Sequence, residues 1–139
     1  MTNENGSGAA GGTTWPSAHI SAAPALLEVR AAVPDTETGL ALAHSLVAQQ
    51  LAACVQVIGP ITSVYSWQGE AQQGDEWLLL MKTTEDAFEA VSAVILAEHP
   101  YEVPEILGVR VTHALPAYAE WVRKHSDGIS DAQLLHPHE

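Results

Sequence analysis

One cysteine, Cys54, in 139 residues excludes an internal disulfide and every zinc motif built on cysteine pairs, and a lone thiol fits a reducing compartment. Basic residues are nearly as scarce: five Lys plus Arg stand against seventeen Asp plus Glu, a formal charge of -12. So acidic a chain repels phosphate backbones and anionic headgroups, so neither nucleic acid nor a membrane surface is an expected partner, and small cations are favoured over anions. No stretch approaches the roughly 20 apolar residues of a membrane span, and residues 1–24 have neither the basic start nor the apolar centre of a secretory signal. A cytoplasmic protein is expected. Catalytic signatures are missing too, with no nucleophile elbow, no G-x-x-x-x-G-K phosphate loop and no HExxH pair, so no enzymatic activity is expected from motifs.

What the chain has is apolar patterning, 47% of its residues, enough for one core. The Gly, Ser, Thr, Ala and Pro of residues 1–24 cannot bury enough area to offset their ordering entropy and read as a flexible tail. A domain is expected over 25–126, followed by a second tail over 127–139. "LLEVRAAV" (26–33) alternates as a half-buried strand. A helix follows behind Asp35 or Thr36 as N-cap, with Leu40, Ala43, Val47 and Leu51 along its expected apolar side. From Cys54 a strand bends at Gly59 and Pro60 and runs through Tyr65 and Trp67. It turns across "QGEAQQGD" and returns from Glu76 to Lys82, a long hairpin.

Thr83, three residues before Asp86, suggests a capping box for a second helix carrying Phe88, Val91, Val94 and Ile95 and ending at His99. "EILGVRVTH" is a last strand, and Pro116 opens a short third helix. The order βαββαβ plus one C-terminal helix is α+β and ferredoxin-like. In "WLLLM" (77–81) both strand faces are apolar, although helices should cover only one. Self-association is the expected cover, the third helix or the tail the alternative.

"LAACVQVIGPITSVYSWQGE", "EWLLLMKTT", "EHPYEVPEI" and "AYAEWV", in that order, resemble the signature segments of the divalent-cation tolerance proteins of the CutA type, from about Leu27 to His125. The resemblance implies a ferredoxin-like subunit in a tight homotrimer similar to the nitrogen-regulatory PII proteins, with hairpins pairing across subunits. It also implies binding of copper or another divalent metal and response to metal ions, with no enzymatic reaction and no organic cofactor. One departure stands in the first strand, where Ala31 and Ala32 replace the Cys and Thr that some members carry.

Candidate metal ligands are Cys54, His99 and Glu102. A thiolate suits copper(I) and an imidazole suits copper, but Cys54 amid Leu51, Ala52, Ala53 and Val55 also reads as a small buried hydrophobe, and His99 as a partner for the last helical carbonyls. Trp67, Lys82, Tyr101, Glu105 and Trp121 are candidates for a cleft or subunit interface. Lys82 with Arg30 and Arg110 offers an anion pocket, or pairs instead with Glu28, Glu70 or Glu105. His136 and His138 form a terminal pair of the weak, unspecific kind. Beside the metal-response reading stand two others: a PII-like signalling module with a small anionic ligand in inter-subunit clefts, and a structural trimer presenting a partner surface.

Overall fold

Alternation in β1 (Leu26–Val33) sets the frame for the rest of the chain. In the computed structural model, which describes residues 23–128, Leu27, Val29, Ala31 and Val33 are buried on one face of this strand. β3 (Glu70–Thr84) lies beside it with Val29 opposite Met81 and Ala31 opposite Leu79, both partners fully buried. β4 (Ile106–Val111) flanks β1 on the other side, and β2 (Cys54–Trp67) completes the antiparallel order β2-β3-β1-β4. Helices α1 (Thr36–Ala48) and α2 (Phe88–Glu98) press Leu42, Leu46, Val91 and Ile95 onto the inner face, while α3 (Pro116–Lys124) follows β4. The architecture is the ferredoxin-like α+β fold. The expected tails, including His136 and His138, lie almost entirely outside the described residues.

Asp35 caps α1 by accepting the Thr38 N–H at 2.7 Å, which holds its carboxyl below the usual range. The buried stripe of α1 is Gly39, Leu42, Ala43 and Leu46; of the expected residues Ala43 and, just past the helix, Leu51 are buried, whereas Leu40 and Val47 are exposed. So apolar a helix offers two stripes, and packing on the sheet chooses between them. At α2 the capping box is absent. Thr83 and Thr84 belong to β3, a 3-10 turn (Glu85–Ala87) intervenes, and the buried Thr83 hydroxyl donates to the Leu51 carbonyl at 2.6 Å.

The hairpin is longer than expected. Its turn is only Gln68–Gly69, with φ of 53° and 81°, and pairing resumes at once from Trp67 opposite Glu70. Two positive φ values are what a two-residue hairpin of primed type requires, and the polar run 70–75 is strand because the ladder alone holds it. The register shifts between Ile58 and Ile61 at Gly59 and Pro60, joined by a cis peptide bond. Gly59 is needed there, since a Cβ would run into the indole of Trp77. Trp77 itself stands opposite Val33 and packs against the inner core, so it does not mark the outer face.

On that second face α3 covers one end, where Ala119 and Val122 meet Leu26 and Val111. Beyond it, Leu78 and Leu80 face out between Arg30 and Ala32 of β1 and Gln56 and Ile58 of β2, and on β4 Leu107 and Val109 are 53% and 45% exposed.

Candidate functional site

The segment "EHPYEVPEI" leaves the helical region where proline demands it. His99 is the C-cap of α2 in extended geometry, φ -81° and ψ 137°, because Pro100 follows. Its ring does not bond the last carbonyls of its own helix, as expected, but reaches across to β1, with Nε2 2.6 Å from the Ala32 carbonyl. A carbonyl only accepts, so Nε2 carries the proton, and Nδ1 is free to accept the Tyr101 N–H at 3.1 Å. Both nitrogens of this buried ring are therefore engaged. The Tyr101 ring leans on the imidazole with centroids 4.7 Å apart, and its hydroxyl donates to Glu76 Oε2 at 3.3 Å. Burial first, then the charge of Glu76, pushes the Tyr101 phenol up and keeps it protonated.

His99 and Tyr101 thus tie the loop to both β1 and the hairpin, and a cleft of ≈ 560 Å³ opens between them. The hairpin contributes Tyr65, Trp67, Asp75 and Glu76, the loop Tyr101, Glu102 and Glu105, and Ala32 the floor; no lysine or arginine lines it. Four of the candidates, Trp67, Tyr101, Glu102 and Glu105, meet here. Tyr65, Asp75 and Glu76 were missed. Tyr65 and Trp67, two residues apart on one strand, share a face, and that spacing was the available signal.

The others lie elsewhere. Lys82 is on the second sheet face, bonded to Glu28 Oε2 and Gln56 Oε1 at 3.0 Å each. Arg30 reaches the other oxygen of Glu28 at 3.1 Å, and the Lys82 hydrogen bond, then Arg30, holds the Glu28 carboxyl below its ordinary value against the opposing effect of burial. Arg110 projects toward the helices, where it pairs with both oxygens of Glu85 at 2.7 Å. The three cations share no pocket, and Lys82 has the Glu28 partner weighed for it.

Cys54, partly buried, pairs with Lys82, four residues along β3 from Leu78, the partner of Ala32. At the strand rise this sets it roughly 13 Å along the sheet from the anchor of His99. Trp121 on α3 stacks on Tyr118 at 5.6 Å and tilts against His125, the residue that follows the helix, and does not line the cleft. Within the described residues of one chain no three of His, Cys, Asp and Glu converge as a metal site, so Cys54, His99 and Glu102 are not brought together by one subunit.

Fold and site together define a ferredoxin-like chain with a two-stranded ribbon and an acidic, aromatic cleft at its root. The chain belongs to the CutA1 divalent ion tolerance protein family, whose model matches residues 27–125. It is 40% identical over 94 residues to the divalent-cation tolerance protein CutA of Thermus thermophilus, covering 68% of this chain and 91% of that one. It is likewise 40% identical over 91 residues to the chloroplastic protein CutA of Arabidopsis thaliana, covering 66% of this chain and 50% of the plant protein. Among solved structures, the Thermus thermophilus protein superposes with a TM-score of 0.72 at 39% identity, covering 73% of this chain and 98% of its own. CutA1 of Oryza sativa gives 0.73 at 35% identity, covering 76% and 97%. These relatives are named for tolerance of divalent cations or simply as CutA, not for a reaction.

Proposed function

We propose that this protein works as a cytoplasmic homotrimer in the response to divalent metal, binding copper or another divalent cation beside inter-subunit clefts. The observation that carries this reading is the charge of the cleft: Asp75, Glu76, Glu102 and Glu105 line it without a single cation. Carboxylate oxygens suit hard divalent ions, whereas copper prefers nitrogen and sulfur donors. Copper would therefore draw on Cys54, the chain's one thiol, from one subunit and on His99 of another, displacing the Tyr101 N–H from Nδ1. Trimerisation is supported by the half-buried Leu78 and Leu80 beside the exposed Leu107 and Val109, an apolar strip of the kind that closed oligomers bury. The PII-like anion reading loses support, because Arg30, Lys82 and Arg110 are each paired with a carboxylate.

The test is calorimetric titration of the purified, tag-free protein with Cu(II) and with Cu(I) under reductant, sedimentation being run on the same samples. Cys54→Ser and His99→Ala should weaken copper binding by a large factor with the trimer intact, and removal of residues 133–139 should abolish only a weak component. If removing the C-terminal histidines eliminates all binding while both variants bind normally, the folded domain has no metal site.

A further inference from the structure

We propose that the cleft between ribbon and loop binds an organic cation, the ammonium of an aliphatic amine. This goes beyond the metal reading and does not rest on it. The cleft is walled by three aromatic rings, and two of them, Tyr65 and Trp67, are 50% and 60% exposed. Tyr101 is held in place at its root by Glu76 and His99. Ring faces attract cations through their quadrupole, and most strongly those that shed water easily, as ammonium groups on carbon chains do. A small, tightly hydrated divalent ion gains nothing from such walls. The volume, ≈ 560 Å³, falls in the range of small-molecule sites and far exceeds one metal ion.

The carboxylates complete the fit. Glu76, Glu102 and Glu105 stand around the rings, so an anion is repelled, and a neutral apolar ligand would strip water from carboxylates without replacing their hydrogen bonds. The chain supplies little counter-charge of its own. Of its five basic residues, Arg30, Lys82 and Arg110 are ion-paired within the subunit and Arg123 donates to the Pro24 carbonyl at 2.9 Å. A ligand with one or more ammonium groups joined by methylenes meets both surfaces, its charges on the carboxylates and its chain on the rings.

The experiment titrates the full-length protein with spermidine and with Mg(II), at about 0.15 M NaCl to screen diffuse attraction, following heat and tryptophan fluorescence. Spermidine should bind saturably and at least about 10-fold more tightly than Mg(II), and so should 1,4-diaminobutane, which carries the same two charges as Mg(II), a preference that point charges alone would not produce. Tyr65→Leu and Tyr101→Leu should each weaken it about 3- to 30-fold, the worth of one ring, and Glu105→Gln should weaken it as well. Tyr65 is half exposed on the ribbon, so its variant is expected to keep the fold; the wild-type preference for 1,4-diaminobutane over Mg(II), equal in charge, reads out independently of any substitution. Absence of saturable spermidine binding below about 10 mM overturns the proposal. So does binding that Mg(II) matches, or that Tyr65→Leu leaves untouched in a correctly folded protein. A parallel copper titration separates the two ideas: copper bound without spermidine sinks only the amine site, and spermidine bound without copper sinks only the metal reading.

Discussion

Within one hairpin, the stretch from Val55 to Ile58 opposite Leu78 to Met81 lies under the helices and buries Leu79 and Met81 completely. The stretch from Ile61 to Trp67 opposite Glu70 to Glu76 has an equally regular ladder and no buried residue at all. Backbone pairing is the same in both, so hydrogen bonding does not distinguish them. Apolar cover does. A two-stranded ribbon alone is marginally stable in water, so the root of this hairpin supports its arm, and the arm is left free to carry the rings and carboxylates of the cleft.

The sharpest way to test that contrast is to cut the core on one side of it. Leu79→Ala should cost about 2–5 kcal/mol in urea denaturation, as truncation of a fully buried leucine does. Thr83→Val, which leaves the Leu51 carbonyl buried without its donor, should cost about 1–3 kcal/mol by the same measurement.

The next effect is smaller and depends on pH. The Glu28 carboxyl titrates below its ordinary value in the folded state, so its contribution is present above the unfolded value and is lost as pH falls through the folded one. Glu28→Gln should therefore flatten the acid side of the stability profile and leave its alkaline side unchanged in slope. The smallest effect belongs to the arm: Val64→Ala, exposed on the ribbon, should change stability by no more than about 0.5 kcal/mol. If Val64→Ala proves as costly as Leu79→Ala, the arm is part of a core formed by assembly and the contrast collapses.

The root was legible in the amino-acid sequence and the arm was not, for one physical reason. In "LLEVRAAV" and "EWLLLMK" the strand period is written in apolar residues because a core lies on that face. In residues 70–75 both faces meet water, so no apolar period exists, and the polar run reads as a loop. Helix α1 failed differently. Leu40 and Val47 are as apolar as Leu42 and Leu46, and only the sheet beneath decides which pair is buried.

At the site, Trp67, Tyr101, Glu102 and Glu105 were visible because they stand inside distinctive motifs, whereas Asp75 was hidden in the stretch read as a turn, and Glu76, at the start of the expected returning strand, carried no signal for the face it would take. Cys54, Lys82 and Trp121 carried chemistry of the right type, but no local signal tells which face of a sheet a residue will occupy. Crossover geometry put them elsewhere.

The register shift at Gly59 and Pro60 has a consequence in parity. Below it, the odd-numbered residues of β2, Val55 and Val57, pair with Met81 and Leu79 and point at the helices. Above it, two residues of β2 intervene where β3 has only Trp77. The odd-numbered Ile61, Ser63, Tyr65 and Trp67 now pair with even-numbered residues of β3, from Glu76 to Glu70. A strand alternates strictly, so one uncompensated residue turns everything beyond it half a step over. Tyr65 and Trp67 would otherwise share the helix side with Val57; the shift carries them to the side of Ala32, where the cleft is.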